Sequence, residues 1–72
     1  MSGSSTTVLW RLRTPRREAA YAAILPGGPP FTLAFFVAGQ LDRVENFETM
    51  DLAVFRSEDV KRGLLAEGWM ED

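Results

Sequence analysis

The chain contains no cysteine and no histidine. Without cysteine it has no disulfide framework and no thiolate nucleophile, and without either residue it lacks the usual ligands of a zinc site. The absence of imidazole also removes the usual general base near neutral pH and excludes a serine triad. Since the sequence shows no other active-site motif, we expect a protein that is not an enzyme and that binds no metal and no cofactor.

A long hydrophobic run is also missing. The longest stretch without a charged residue, Ala19–Leu41, contains three prolines and three glycines, which excludes a membrane-spanning helix of about 20 residues. The N-terminus shows no basic region followed by an apolar stretch, so we expect no signal peptide, no membrane partner and a cytoplasmic location. Seven of the eight basic residues are arginine. This composition suggests a small protein from a bacterium with a GC-rich genome.

What is present is a globular composition on a short chain. The sequence has 72 residues, of which 46% are hydrophobic and 25% charged. We expect a disordered tail over residues 1–6, one domain over residues 7–69 and a frayed end over residues 70–72. The core of a domain this small supplies only about 3–5 kcal/mol. We therefore expect it to depend on an oligomer or a partner.

Two hairpins are predicted from patterns of period two. Residues 7–14 alternate and end at Pro15. Residues 17–25 allow two interpretations, since their four alanines suit a helix; we favour a strand that pairs back on the first through a turn over residues 14–17. Residues 31–38 form the strongest strand, followed by a Gly39-Gln40 hairpin loop and a return strand over residues 41–47. That loop would place Ala38 opposite Leu41, Phe36 opposite Arg43 and Phe35 opposite Val44.

The C-terminal third predicts one helix, over residues 57–67. Ser57 is its expected N-cap, and Gly68 follows its last residue as a C-terminal cap. Residues 48–56 allow two interpretations, a helix capped by Thr49 or a short edge strand. A helix continuing to residue 67 would place Leu52 and Phe55 opposite its apolar stripe, so we favour a strand or an irregular segment.

These elements predict an α+β fold: an antiparallel β-meander of four to five strands with one C-terminal helix packed on one face. The order of Trp10–Arg13 (WRLR), Arg17–Ala19 (REA), Val54–Ser57 (VFRS) before a helix, and Gly68-Trp69 resembles small uncharacterised bacterial proteins of a sheet-then-helix type. This resemblance implies the same fold and no activity.

The second face of the sheet is the feature most relevant to function. One short helix covers one face, which leaves apolar side chains on the other; those expected there are Phe36, Leu41, Tyr21 and Phe47. An exposed apolar patch on a small protein typically marks an interface. We therefore expect a non-catalytic interaction module whose partner is itself, as a homodimer, or another protein, docked through this face or an edge strand. The alternative is that residues 48–55 fold over the patch.

Charge asymmetry suggests two further functions. Residues 1–41 carry four arginines and one acid, a net charge of +3, whereas residues 42–72 carry four basic residues and nine acids, a net charge of −5. A small nucleic-acid-associated regulator would contact phosphates through Arg11, Arg13, Arg16 and Arg17, and stack bases on Trp10 or Tyr21. The overall charge of −2 disfavours it. An acidic inhibitor docking on a basic target is the other alternative.

Overall fold

A five-stranded antiparallel sheet and one helix make up the fold. The computed structural model describes residues 6–72. The elements are β1 Thr7–Arg13, β2 Ala19–Ile24, β3 Phe31–Val37, β4 Gln40–Phe47, α1 Met50–Ala66 and β5 Met70–Glu71. The strand order is β4-β3-β2-β1-β5, so the predicted α+β fold with a C-terminal helix is confirmed. Residues 1–5 of the expected tail lie outside the described residues.

The first hairpin forms where the sequence predicts it. Pro15 cannot donate to a ladder, and the chain reverses around it. The Arg17 amide donates to the Thr14 carbonyl at 2.9 Å, and the Glu18 amide donates to the Thr14 hydroxyl at 3.2 Å. Thr14 therefore accepts two hydrogen bonds that close the turn and hold β1 beside β2.

The second hairpin turns one residue earlier than expected. Val37 pairs with Gln40, so the two loop residues are Ala38 and Gly39 rather than Gly39 and Gln40. Their φ angles are 53° and 80°, and positive φ at both positions is the signature of a type I′ turn. This turn matches the right-handed twist of the strands, and it holds Ala38 at a positive φ that glycine or asparagine more often adopts.

A β-bulge in β4 overturns the expected register. Phe36 lies opposite Leu41 and Phe35 opposite Arg43, which leaves Asp42 as an extra residue between them. Cross-strand partners share a face. Residues 43 and 45 therefore lie on the same face as Phe35, whereas Val44 lies on the opposite face. The predicted pairs of Phe35 with Val44 and of Phe36 with Arg43 were wrong.

A second bulge lies in β1. Val8 pairs with Ala23 and Trp10 with Ala22, which leaves Leu9 as the extra residue. Leu9 packs against the core. The bulge therefore lets two successive β1 side chains, Leu9 and Trp10, contribute to the same core.

The helix is longer than the favoured prediction. α1 has 17 residues and begins after the N-cap Thr49, whose hydroxyl accepts a hydrogen bond from the Leu52 amide at 3.2 Å. The preference for a strand or irregular segment over residues 48–56 was wrong, and the helix capped by Thr49 is correct. Ser57 is not an N-cap; it is fully buried inside the helix, and its hydroxyl donates to the Val54 carbonyl at 2.8 Å.

The core lies between α1 and one face of the sheet. Its buried members are Trp10, Leu12, Ala22, Ile24, Leu33, Phe35 and Ala53. Ala53 and Ser57 are four residues apart, so they lie on one side of the helix. Because both side chains are small, the helix lies close enough for the Trp10 indole to donate a buried hydrogen bond to the Ser57 carbonyl at 3.1 Å.

The C-terminus returns to the sheet instead of fraying. Gly68 has a φ of 109°, the left-handed conformation expected just beyond a helix. Trp69 then packs against the core. Met70 and Glu71 pair with Arg13 and Leu12 of β1, so two of the three residues expected to fray form the fifth strand.

Candidate functional site

The sheet face that the helix does not cover is termed the open face. Strand registers align four of its residues in one row across β1, β2, β3 and β4: Arg11 lies opposite Tyr21, Tyr21 opposite Phe36, and Phe36 opposite Leu41. Three of the side chains expected on the second face therefore lie side by side. An arginine stands at one end of the row and a leucine at the other.

Two aromatic rings form the centre of this row. The Tyr21 and Phe36 rings stack with centroids 4.7 Å apart and an angle of 12° between their planes. Both side chains are half-buried, because each ring covers part of the other. Leu41, at the end of the row, is 55% exposed. The centre of the row is thus a stacked aromatic pair with an exposed leucine beside it.

A second row runs parallel to the first. Val8 lies opposite Ala23, Ala23 opposite Ala34, and Ala34 opposite Val44. The two alanines are fully buried, whereas Val44 is 46% and Val8 is 39% exposed. Sequence reasoning missed Val44 because the bulge at Asp42 moves it from the covered face to the open face.

Phe47 does not belong to the open face. It lies opposite Phe31 and packs against the core with the helix residues. The bulge that exposes Val44 also reverses the direction of residues 45 and 47. The expectation that Phe47 lies on the second face was wrong.

The four arginines divide between the open face and the first turn. Arg11 and Arg13 are open-face residues of β1, opposite Tyr21 and Ala19, and Arg13 pairs with the Asp72 carboxylate at 3.7 Å. Arg16 and Arg17 are exposed in the turn after β1. Among the described residues, Arg11, Arg16 and Arg17 form no salt bridge, so their charge is available to a partner.

Trp10 is not available for base stacking. It is 7% exposed, lies in the core and packs against Phe35 with ring centroids 6.3 Å apart. The suggestion that Trp10 stacks on bases was wrong. Tyr21 is the aromatic side chain that accompanies the arginines on the open face.

Two charged side chains on the covered side of β4, Glu45 and Arg43, contact other parts of the domain. The Arg56 guanidinium of α1 binds both carboxylate oxygens of Glu45, at 3.0 and 3.3 Å. The hydrogen bonds from Arg56 lower the pKa of Glu45 despite partial burial of the carboxylate, and Glu45 in turn raises the pKa of Arg56. The Arg43 guanidinium lies 5.2 Å from the centroid of the Phe35 ring. These groups close the edge of the core.

A second exposed apolar surface lies on α1. Phe55 is 70% and Leu52 is 53% exposed. They are three residues apart, hence neighbours on the helix surface, and they lie away from the buried Ala53 and Ser57. We term Asp51, Leu52, Phe55 and Glu58 the outer ridge. The sequence signal for it was present, since a continuous helix does place Leu52 and Phe55 opposite the apolar stripe.

The described residues offer little for chemistry on a small molecule. The cavity beside Trp10, Tyr21 and Phe36 has a volume of about 80 Å³, whereas ligand pockets typically measure about 300–1,000 Å³. Within residues 6–72 no three acidic side chains converge as metal ligands do. In the same part of the chain, α1 is too short and too polar to span a membrane.

The open face is therefore the candidate site, with the outer ridge as a second unpartnered surface. Its exposed groups are aromatic, aliphatic and guanidinium side chains, and aromatic residues and arginine are enriched at protein interfaces. Comparison with known proteins adds no further assignment: no family model, no curated protein and no solved structure matches this chain. The resemblance to small bacterial sheet-then-helix proteins thus stays a prediction.

Proposed function

We propose that this protein is a non-catalytic interaction module that docks through its open face, with a second copy of the chain as its partner. One observation carries the proposal: exposed aliphatic side chains surround the stacked Tyr21 and Phe36 rings on a face that the helix does not cover. Those aliphatic side chains are Val8, Leu41 and Val44.

Removing the apolar side chains of the open face from water is favourable in free energy. Each square ångström of apolar surface removed from water contributes roughly 25 cal/mol, and a short domain has little stability to spare. Tyrosine, phenylalanine and arginine are also the residue types enriched at protein interfaces. The row from Arg11 to Leu41 therefore has both the composition and the exposure of a docking surface.

The mass of the protein in solution tests this proposal. Light scattering coupled to size exclusion, over a wide range of protein concentration, should give the wild type a mass above the 8.0 kDa of one chain. Phe36→Glu and Val44→Glu should lower this mass, because each places a carboxylate within the apolar face.

Gln40→Glu is the matched control. It introduces the same charge in β4, but Gln40 lies opposite Val37 on the covered side of the sheet. The control should behave as the wild type. A wild type that stays at the mass of one chain at every concentration would refute self-association, as would loss of assembly in the control alone.

Arg11 beside Tyr21 supports a second candidate, binding of single-stranded nucleic acid. A base stacked on Tyr21 would bring its phosphate towards a guanidinium, and Arg16 and Arg17 extend the positive charge at the adjacent turn. Fluorescence anisotropy with labelled oligonucleotides at low salt should then show binding that weakens steeply as salt rises. A flat titration at low salt would eliminate this candidate.

A further inference from the structure

The outer ridge points directly away from the sheet. Asp51, Phe55 and Glu58 follow one another at intervals of four and three residues, which aligns them along one line of the helix. The buried side of α1 is marked by Ala53 and Ser57. Phe55 lies two residues from each of these, about 200° around the helix, so its ring projects into solvent beside Leu52 and is 70% exposed.

Carboxylates flank the ring of Phe55. Asp51 lies one turn before it and Glu58 one turn after it, and neither forms a salt bridge among the described residues. Asp59, by contrast, is paired with Arg56 at 3.2 Å and with Arg62 at 3.1 Å. The outer ridge therefore presents an aromatic side chain between two unpaired negative charges.

The open face presents the complementary pattern. The charged residues at its strand positions are Arg11 and Arg13, and Arg13 is already paired with Asp72. If two open faces packed against each other, Arg11 and Arg13 of both copies would be buried with only the two Asp72 carboxylates beside them; the Asp72 amide donates to the Arg11 carbonyl at 3.2 Å, and its carboxylate is already paired with Arg13. Burying an unpaired charge is costly, so the open face favours a partner that brings acidic groups with its apolar ones.

The two surfaces are also comparable in length. From Asp51 to Glu58 the ridge rises by about 10 Å, at 1.5 Å per residue. From Arg11 to Leu41 the row crosses three strand spacings, or about 14 Å. A ridge of this length laid along the row brings Phe55 over the aromatic centre and one flanking carboxylate near Arg11.

We propose that the outer ridge of one copy docks on the open face of the next copy. This inference rests on the proposed function and names the surface of the second copy that occupies the open face. The two surfaces lie on opposite sides of the domain, so the contact is head-to-tail. Such a contact does not close around a two-fold axis, and the copies add one after another into open chains, or into a ring where the rotation between copies closes.

Complementation between two variants tests this arrangement. Phe55→Lys removes the aromatic ring of the ridge and adds a positive charge to the surface that faces the Arg11 end of the row, while leaving its own open face intact. Leu41→Glu places a negative charge on the open face against the acidic ridge, while leaving its own ridge intact. Both positions are exposed, and unchanged thermal unfolding would show that both variants fold.

The wild type, each variant alone and the mixture of the two variants have different expected masses. Wild-type protein should grow beyond a dimer as concentration rises, and each variant alone should stay near 8.0 kDa. An equimolar mixture should form a 1:1 complex of about 16 kDa, twice the mass of one chain, and grow no further. Ala66→Lys on the exposed end of α1 and Gln40→Glu on the covered side of β4 are the charge-matched controls, and both should assemble as the wild type does.

Other outcomes separate this inference from the proposed function. If Leu41→Glu dissociates whereas Phe55→Lys assembles normally, the open face docks on something other than the ridge: the inference fails and the proposed function stands. The inference also fails if the mixture of two dissociated variants forms no complex. If both variants assemble as the wild type does, or the wild type is monomeric throughout, both proposals fail.

Discussion

Leu33 and Leu41 lie on neighbouring strands of one sheet, yet Leu33 is fully buried and Leu41 is 55% exposed. The difference lies in what covers them. Leu33 faces α1 together with the other core residues, whereas Leu41 faces solvent beside the stacked rings of Tyr21 and Phe36. The same type of side chain therefore stabilises the fold on one face and remains available for binding on the other.

The largest effect should come from the covered face. Leu33→Ala should lower the free energy of unfolding by about 2–5 kcal/mol, because it removes a fully buried side chain and leaves a cavity. Val44→Ala, on the exposed open face, should cost less than about 1 kcal/mol. Urea unfolding followed by tryptophan fluorescence at low protein concentration measures both. If both substitutions lowered the free energy of unfolding equally, the open face would have to be covered in the monomer.

The link between helix and sheet should show the next largest effect. Trp10→Phe removes the hydrogen bond to the Ser57 carbonyl and part of a buried ring, which should cost about 1–3 kcal/mol. Trp69→Phe is the matched control, since Trp69 is half-buried and should cost less. Unfolding monitored by circular dichroism avoids dependence on either tryptophan. A larger cost for Trp69→Phe would contradict the central place given to Trp10.

The open face should nevertheless contribute some stability of its own. A double-mutant cycle of Tyr21→Ala and Phe36→Ala should give a coupling energy of about 0.5–1.5 kcal/mol, the range measured for aromatic pairs. The stacked geometry is the reason for this expectation. Thermal unfolding of the two single variants and the double variant measures the coupling. A coupling near zero would mean that the rings are held by their strands and not by each other.

The smallest effect concerns the ion pair at the edge of the covered face. Glu45→Gln should cost about 0.5–1 kcal/mol at neutral pH, since the pair is partly exposed. The pKa of Glu45 is lowered in the folded chain, so the pair stabilises the fold above the unfolded-state pKa. That stabilisation is lost as the pH falls through the folded-state pKa. Unfolding from pH 7 down to pH 2 should show the wild type and the variant converging in acid. A constant difference would contradict the assignment.

Local chemistry made most of the fold predictable. The alternation of residues 31–37, the turn after Thr14 and the glycine after α1 each carry a local signal, and each predicted the observed element. The stretch Leu41–Val44 carries no such signal. It alternates equally well in either register, and only the bulge at Asp42 decides which residues beyond it face the helix.

Only some residues of the candidate site were predictable from the sequence. Period two was enough to place Phe36 and Tyr21 on one face, whereas Val44 and Phe47 depended on the bulge. On α1, the pattern correctly placed Leu52 and Phe55 opposite the buried stripe. The error was the assumption that apolar residues must be buried, which made a correct helix look defective. An apolar residue on the wrong side of a helix is also what an interface produces.

Because β4 contains one residue without a partner in the ladder, the strand can lose that residue and keep its pairing with β3. If the codon for Asp42 were deleted, Leu41 would still lie opposite Phe36 and Arg43 opposite Phe35, because Asp42 itself has no partner in the ladder. Every other side chain of the hairpin would keep its face. A one-residue insertion–deletion event at this position is therefore a neutral route along which related sequences can differ in length while sharing one open face.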